Sequence, residues 1–226
     1  MEQRSIALDG PAGAGKSTLA KLAAKHFGLI YVDTGALYRC IGLYALRMGV
    51  GSKDIEGITA LLPDISLEME YDKNDVQRMV LNGEDVTDDI RSPEASAYAS
   101  DVSAIPAVRE FLLSMQREMA NKYDVIMDGR DIGTVILPGA GIKVFLTAEP
   151  EVRAKRRYLE LIVKNVDTTL EQVRKDMEQR DKNDSERSVA PLKPADGSIL
   201  LDTTQLNLEN SYKALCDIIE SRGNMV

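Results

Sequence analysis

Only two cysteines, Cys40 and Cys216, occur in the 226 residues, and tryptophan is absent. Two cysteines are too few for a disulfide framework of the kind that stabilises small secreted proteins. We therefore expect both to be buried thiols in a reducing compartment. The single histidine, His26, falls at the end of a predicted helix, where we expect it at the surface. The sequence thus offers neither a Ser–His–Asp set nor clustered metal ligands.

The sequence also lacks a long apolar run and an excess of positive charge. No stretch approaches the length of a membrane span, and the first ten residues lack the apolar region of a signal peptide. The net charge of −8 argues against sequence-independent DNA or RNA binding, which depends on lysine and arginine neutralising phosphates. We expect a soluble, cytoplasmic protein with no membrane or nucleic-acid partner, and take a monomer as the default assembly.

Short apolar runs alternate with helical patterns along the chain. At 44% hydrophobic residues, the chain can bury the core of one domain, or of one domain with an insertion. The apolar runs are continuous, as in parallel strands covered on both faces, and lie at 5–9, 29–33, 124–128, 142–147 and 198–202. Helical patterns lie at about 16–27, 35–48, 105–122, 150–164, 169–182 and 207–222. This alternation predicts a doubly wound α/β fold with a five-stranded parallel sheet.

One stretch departs from this alternation. In "DISLEMEYD", apolar and polar residues alternate as in a half-buried antiparallel strand. Asn82 and Gly83 then separate "VQRMVL" from "EDVT", and an Asn-Gly pair between such runs is a strong hairpin signal. Residues 62–90 are therefore predicted to form a small antiparallel sheet inserted into the parallel domain. Such a sheet could be a surface ornament or part of a substrate-closing subdomain.

A glycine-rich segment separates the first predicted strand from the first predicted helix. The stretch "GPAGAGKS", from Gly10 to Ser17, fits the phosphate-loop pattern G-x-x-x-x-G-K-[ST]. Its glycines let backbone N–H groups approach an anion at a helix N-terminus. Lys16 would add a charge for the β- and γ-phosphates, and Ser17 a hydroxyl ligand for Mg²⁺. The segment predicts a nucleotide site.

Charged residues follow two other predicted strands. Asp128 ends the strand in "DVIMDGRD", where a carboxylate can orient Mg²⁺ or its waters; the alternative is a strand-capping role. Arg130 and Asp131 follow at the carboxyl edge of the sheet, where open α/β sheets bind ligands. In "YVDTGALYR", Thr34 and Arg39 repeat the arrangement, although Thr34 could also be an N-cap.

Arginines cluster in two segments near the C-terminal third. Arg153, Arg156 and Arg157 share one helix face at i, i+3 and i+4 spacing, which alone would suit a solvated basic face. The segment "QRDKNDSERSVAPLKP" then adds Arg180 and Arg187. Two such clusters around a helical hairpin, in an acidic chain with a phosphate loop, suggest a lid that brings guanidinium groups to phosphate oxygens.

The stretch "NKYD" at 121–124 matches the N-K-x-D signature with which GTPases read guanine. In GTPases it follows a strand, whereas here it precedes "VIMD" and ends a predicted helix. We interpret it as a helix-to-strand connection.

Four stretches together closely resemble bacterial cytidylate kinases: "GPAGAGKSTLAK", "YVDTGALYR", "DGRDIGTV" and the R-D-x-x-D-x-x-R-S-V-A-P-L pattern that begins at Arg180. The resemblance runs almost end to end and includes the inserted hairpin. It implies a single P-loop kinase domain, 1–226, with a helical lid. Its implied parts are a core (1–32, 105–152 and 183–226), an NMP-binding subdomain with the hairpin insertion (33–104) and the lid (153–182).

The resemblance also implies a reaction and its residues. ATP, bound with Mg²⁺, would donate its γ-phosphoryl group to CMP or dCMP. Gly10, Pro11, Ala12, Gly13, Ala14, Gly15, Lys16, Ser17 and Thr18 would hold the donor, with Ser17 and Asp128 toward the metal, directly or through water. Arg153 would lie against the adenine, and Arg157 and Arg180 would cover the phosphates on closure.

For the acceptor, the resemblance implies three groups of contacts. Thr34, Arg39, Arg130 and Arg187 would clamp its phosphate, while Asp184 would hold the sugar hydroxyls. Ser100, Arg109 and Asp131 would read cytosine. Lys16, Arg130, Arg157 and Arg180 are the expected catalytic residues.

Two alternatives stay open at this point. Another P-loop monophosphate kinase, for adenylate, thymidylate or UMP, would share the phosphate loop but not the Asp131 and Arg109 pair suited to a cytosine edge. A nucleotide-dependent switch would not need the paired arginine clusters.

Overall fold

Five parallel strands form the central sheet, in the spatial order β2-β6-β1-β7-β8. The computed structural model describes residues 3–74 and 76–223. Its strands are β1 (Ser5–Asp9), β2 (Ile30–Asp33), β3 (Leu67–Tyr71), β4 (Gln77–Leu81), β5 (Glu84–Asp85), β6 (Val125–Gly129), β7 (Ile142–Thr147) and β8 (Ile199–Asp202). All four pairings in the five-stranded sheet are parallel, which confirms the predicted fold class.

Helices cover both faces of this sheet. They are α1 (Lys16–Phe27), α2 (Thr34–Arg47), α3 (Ile55–Leu61), α4 (Pro93–Val102), α5 (Pro106–Lys122), α6 (Pro150–Val163), α7 (Leu170–Glu186) and α8 (Leu208–Gly223). Side chains alternate across the strands: Ile6 and Leu8 join one apolar cluster with α1 and α8, whereas Ala7 joins another that includes residues of α5. Both faces of β1 are therefore buried, which explains its continuous apolar run.

The inserted sheet is antiparallel, with the order β3-β4-β5. Asn82 and Gly83 connect β4 to β5 with φ angles of 50° and 82°, the left-handed pair that an Asn-Gly hairpin turn requires. The antiparallel hairpin predicted within 62–90 is therefore confirmed over the strands from 67 to 85. Residue 75 of this predicted segment lies outside the described residues, as do residues 1, 2 and 224–226 of the predicted core.

Several smaller expectations are also met. Cys40 and Cys216 are free and buried, and His26 is exposed. The "NKYD" stretch ends α5 and precedes β6, at the edge of the sheet opposite to the phosphate loop. Within residues 3–74 and 76–223, no helix has the length and apolar character needed to cross a bilayer.

Helices α6 and α7 form a hairpin whose base packs on the phosphate loop. Ala12 of the loop joins Ala154, Val173 and Met177 in one buried apolar cluster. Helix α7 continues to Glu186, four residues beyond the predicted end at 182. The predicted lid is therefore in direct contact with the predicted donor site.

Helix α4 was not predicted, and it packs closely against α2. Ser92 caps its N-terminus by accepting from the Ala95 N–H, and Pro93 occupies the first turn. At the crossing, a Cβ on Gly42 would lie 2.7 Å from the Tyr98 Cβ and 3.2 Å from the Ala99 nitrogen. Only a glycine at position 42 allows this approach of the two helices.

Gly42→Ala should therefore destabilise the protein by roughly 1–3 kcal/mol, the usual cost of overpacking. Helix propensity alone would predict the opposite, a stabilisation of about 1 kcal/mol, because alanine is more favourable than glycine inside a helix. Urea unfolding measures the change. Gly141→Ala is the matched control, because no described atom lies within 4 Å of its added Cβ. Equal stability of the two variants would show that the α2–α4 contact accommodates the methyl group.

Candidate active site

The phosphate loop, residues 10–18, follows β1 at the carboxyl edge of the parallel sheet and includes the first three residues of α1. Gly15 precedes α1 with a φ of 94°, in the left-handed region. Among the described residues, no side chain caps α1, and no atom lies within 4 Å of the place that a Gly15 Cβ would take. This helix N-terminus therefore has free N–H groups beside an open space, an arrangement that suits an anion.

Lys16 is buried behind this loop. Its Nζ donates to the Pro11 carbonyl oxygen at 2.8 Å. Burial lowers the pKa of Lys16, and the positive charges of Arg130 and Arg180 lower it further. An anion in the loop would relieve this repulsion and favour the charged ammonium group.

Asp128 is the last residue but one of β6 and is hydrogen-bonded through both carboxylate oxygens. Ser17 Oγ donates to Oδ2 at 2.7 Å, and the Tyr31 hydroxyl donates to Oδ1 at 2.8 Å. Thr34 Oγ1 donates to the Asp128 backbone oxygen, also at 2.8 Å. Burial raises the pKa of the Asp128 carboxyl, and the nearby Asp33 carboxylate adds to the shift.

The Ser17–Asp128 pair fits a magnesium ion that is shared with a nucleotide. Mg²⁺ in such sites takes one or two protein oxygens, with phosphate oxygens and waters as its other ligands. Within the described part of the chain, there is no group of three or more His, Cys, Asp or Glu side chains that could hold a metal by themselves. The donor set is therefore one that a nucleotide phosphate has to complete.

Asp33 ends β2 and holds Arg39. Its Oδ1 accepts from the Ala36 N–H at 3.0 Å, so Asp33, rather than Thr34, caps α2. Its Oδ2 accepts from Arg39 Nη2 at 2.6 Å. Although burial opposes ionisation, Arg39 holds the pKa of the Asp33 carboxyl below its usual value. Arg39 Nε is buried, with no hydrogen-bond partner in the part of the chain that the structure describes.

Arg130 and Arg180 complete a cluster of cations with Lys16 and Arg39, in which Lys16 is buried and the three arginines are partly exposed. Arg130 Nε donates to Asp184 Oδ2 at 2.7 Å. Arg180 Nε is buried and finds no partner among the described residues. Burial lowers the pKa of Arg180 to about 10, and the charges of Arg130, Arg39 and Arg157 oppose its ionisation too. We call Lys16, Arg39, Arg130 and Arg180 the cation cluster.

The chemistry of the cation cluster is that of an anion site. Buried like charges destabilise one another unless opposite charge is brought among them. Asp33, Asp128 and Asp184 supply part of that negative charge. A ligand carrying several phosphates would supply the remainder, and both buried guanidinium Nε groups would gain acceptors.

Asp131 lies between two arginines next to the cation cluster. It forms ion pairs with Arg109 and Arg187, and all three side chains are less than a tenth exposed. Burial raises the pKa of the Asp131 carboxyl, and the two arginines oppose the shift. The Ser100 hydroxyl is also buried, without a partner among the described residues. These groups offer both hydrogen-bond acceptors and hydrogen-bond donors to the polar edge of a ligand ring.

Arg153 of α6 and Asp181 of α7 form hydrogen bonds with the main chain of the phosphate loop. Arg153 Nη1 donates to the Ala12 carbonyl oxygen at 3.0 Å, and the Ala12 N–H donates to Asp181 Oδ1 at 3.1 Å. The two side chains also form an ion pair. They line a cleft of about 240 Å³ together with Pro150, Arg174, Met177 and Glu178.

The structure separates the three arginines that share helical spacing in α6. Arg153 contacts the phosphate loop, whereas Arg156 donates to the Thr203 and Leu206 carbonyl oxygens in the connection between β8 and α8. Arg157 is 37% exposed and pairs with Glu160. A basic face inferred from spacing alone therefore divides into three different environments.

Two further carboxylates in this region were not singled out from the sequence. Asp9 ends β1 and accepts from the Ile132 and Gly133 N–H groups, both at 2.8 Å, which fixes the segment after Arg130. Asp181 lies three residues before Asp184. The position of Asp9 at a strand end, directly before the phosphate loop, was a usable signal. Asp181 belongs to the R-D-x-x-D pattern that begins at Arg180, but its contacts with Ala12 and Arg153 could not be predicted from that pattern.

The sequence comparisons with known proteins all match this chain to cytidylate kinases. A family model described as cytidylate kinase matches residues 6–221. A cytidylate kinase of Caldicellulosiruptor saccharolyticus is 46% identical over 218 residues, covering 96% of each chain, and one of Lactobacillus johnsonii is 44% identical over 217 residues, covering 96% of this chain and 94% of that protein. A crystal structure of an uncharacterized protein from Eubacterium ventriosum aligns with a TM-score of 0.54 and 13% identity, over 97% of this chain and 100% of that one. The last likeness concerns the fold alone.

Replacing Arg180 tests the repulsion within the cation cluster. Arg180→Met should raise the free energy of unfolding of the ligand-free protein by roughly 1–3 kcal/mol, because it removes a buried charge that its neighbours disfavour. Chemical unfolding at neutral pH measures the difference. Arg157→Met is the control, since its exposed side chain should leave stability within about 0.5 kcal/mol of the wild type. A large loss of stability in Arg180→Met would mean that attraction to Asp184 outweighs the repulsion.

Proposed function

This chain belongs to the cytidylate kinase family, and we propose that it transfers the γ-phosphoryl group of ATP to CMP and dCMP, giving ADP and CDP or dCDP. The observation that carries the proposal is the set of contacts around the end of β6. Asp128 accepts from Ser17 of the phosphate loop, Arg130 lies near Lys16, and the next residue, Asp131, pairs with Arg109. A nucleoside triphosphate and a pyrimidine monophosphate would meet at these cations.

Catalysis rests on position and charge. The attacking group is a phosphate oxygen of CMP that already carries negative charge, so no general base is needed. An oxygen–phosphorus bond forms to the γ-phosphorus as the bond to the β-phosphate oxygen breaks, and ADP leaves. Lys16, Arg130 and Arg180 stabilise charge on the transferring group. Arg157 joins them when the lid closes, in keeping with its electrostatic influence on Arg180.

The donor occupies the phosphate loop, residues 10–18. Its adenine lies in the cleft against Arg153, whose guanidinium is held in place by Ala12 and Asp181. Ser17 and Asp128 would hold the Mg²⁺ that is bound with ATP, directly or through water. The ion would then neutralise part of the phosphate charge.

The acceptor is held through its phosphate, sugar and base. Thr34, Arg39, Arg130 and Arg187 clamp the phosphate, with Arg180 on its other side. Asp184 accepts from the sugar hydroxyls. Two facts favour these assignments: the buried Nε of Arg39 has no partner among the described residues, and Arg187 is electrostatically coupled to both Asp131 and Asp184.

Cytosine is read by Ser100, Arg109 and Asp131. Its 4-amino group donates to the Asp131 carboxylate, while Arg109 donates to N3 and the neighbouring carbonyl oxygen. Uracil presents an oxygen and an N3–H at these positions, so both contacts become unfavourable together. Sites that leave buried polar groups unpaired with the wrong ligand discriminate by about 10⁴-fold.

We propose the same division of labour along the chain as expected from the sequence. The core comprises 1–32, 105–152 and 183–226, the acceptor subdomain 33–104 and the lid 153–182. We propose a cytoplasmic protein that acts on small-molecule substrates without nucleic-acid or membrane partners, with a monomer as the default assembly. The acidic composition argues against nucleic-acid binding.

A coupled assay of ADP release with CMP, UMP, AMP and dTMP tests the reaction. CMP should give the highest kcat/KM, and dCMP should also be phosphorylated. Preference for another monophosphate would assign the chain a different acceptor, and ATP binding without any transfer would favour a nucleotide switch.

The base assignment yields a sharper prediction. In Asp131→Asn the side chain can donate to the uracil oxygen as well as accept, so the CMP-over-UMP ratio of kcat/KM should fall at least about tenfold, equivalent to roughly 1.4 kcal/mol. Initial rates at varied monophosphate concentrations measure it. The KM for ATP should change little, and thermal unfolding should show that the variant is folded. A folded variant with the wild-type ratio would mean that Asp131 does not read the base.

A further inference from the structure

Strand β2 is at one edge of the five-stranded sheet, because it pairs only with β6. The main-chain groups on the free side of such a strand need partners from outside the sheet. Side chains of the inserted antiparallel sheet supply partners to three of these groups. The Tyr71 hydroxyl donates to the Tyr31 carbonyl oxygen at 3.1 Å.

Gln77 makes the more specific of these contacts. Its Oε1 accepts from the Asp33 N–H at 2.8 Å, and its Nε2 donates to the Asp33 carbonyl oxygen at 3.3 Å. The side-chain amide thus pairs with both main-chain groups of one residue, as a neighbouring strand would. Gln77 is buried, so water competes little for these bonds.

Asp33 links this contact to the acceptor site. The same residue caps α2 and forms the ion pair with Arg39, whose Nε is buried without a partner among the described residues. The inserted sheet therefore contacts, through Gln77, the residue that orients the guanidinium proposed to bind the acceptor phosphate.

We infer that Gln77 is a positioning residue for the acceptor phosphate, and that the inserted sheet acts as a brace on Asp33. This inference rests on the proposed function, because it takes Arg39 to bind the CMP phosphate. Glutamine suits the role, since one planar group supplies both the acceptor and the donor that a peptide unit requires. The insertion then has a defined part in substrate binding, which its sequence pattern left open.

Packing around the brace supports the assignment. Met69 of β3 packs against two apolar clusters, one of which includes Val32 of β2. Arg47, near the end of α2, pairs with Glu84 and Asp89 at the far side of the insertion. Because α2 is held at its start through Asp33 and near its end through Arg47, Arg39 is fixed between two attachments to the same sheet.

The test replaces Gln77 with methionine, which keeps the length of the side chain but neither hydrogen bond. Gln77→Met should raise the KM for CMP roughly fivefold, the effect of losing about one net hydrogen bond, while the KM for ATP and the kcat at saturating CMP stay within twofold. Hydrogen exchange at the Asp33 amide should become faster in the same variant, because that N–H loses its acceptor.

Arg78→Met is the matched control. Arg78 is the next residue of β4 and pairs with Asp85 on the exposed face of the insertion. It should leave all three kinetic constants and the Asp33 exchange rate unchanged. If Gln77→Met does not fold, Gln77→Glu serves instead: it retains the acceptor and loses the donor, and it too should raise the KM for CMP.

The outcomes separate the two proposals. A wild-type KM for CMP and an unchanged Asp33 exchange rate in folded Gln77→Met would overturn the brace while leaving the proposed reaction intact. A fall in kcat equal to or greater than the rise in KM would also overturn it, because Gln77 would then act on the chemical step or on the whole fold. A wild-type protein that does not phosphorylate CMP would instead refute the reaction, and the brace along with it.

Discussion

Repulsion among buried positive charges is the constraint on which the rest of the site depends. Lys16 and three arginines are concentrated at the carboxyl edge of the parallel sheet. Burial and neighbouring cations lower the pKa values of Lys16 and Arg180. Although burial also opposes the charge of Arg39 and Arg130, Asp33 and Asp184 respectively hold their pKa values above the usual value. Folding tolerates the arrangement because carboxylates from several elements accept from the arginines. The compensation is incomplete at Lys16 and Arg180, and the phosphates that we propose to bind here would complete it. Pre-arranged cations of this kind act on developing charge without having to reorganise during the reaction.

The compensating ion pairs also connect parts of the chain that are distant in sequence. Asp184 of α7 reaches Arg130 beyond β6, Asp181 of the same helix reaches Arg153 at the start of α6, and Asp131 joins Arg109 to Arg187. These charge pairs thus connect α7 to α6 and to the segment after β6, and that segment to α5, within the proposed site itself. A phosphate entering the pocket would compete for the arginine of such a pair, so ligand binding and the relative position of these elements would be coupled.

Local sequence patterns predicted the fold well and the site in outline. Continuous apolar runs identified the five parallel strands, and the Asn82–Gly83 turn identified the hairpin, because both depend on neighbouring residues. Helix α4 was missed although Ser92 and Pro93 mark its start. The environment of Arg156 could not be predicted, since helical spacing gives a direction around the axis but not what packs there. The partners of the arginines, such as Asp184 for Arg130 54 residues away, likewise depend on tertiary contacts that no local period encodes.

The side-chain contacts along the free edge of β2 have a consequence for behaviour at high concentration. An exposed edge strand is a template on which a second molecule can add a strand and begin to aggregate. The side chains of Gln77 and Tyr71 form hydrogen bonds with main-chain groups on the free side of β2. Those groups are then not available for pairing with a strand of a second molecule. The insertion therefore also protects this edge against intermolecular pairing. Removal of the insertion would therefore increase aggregation even in the absence of substrate.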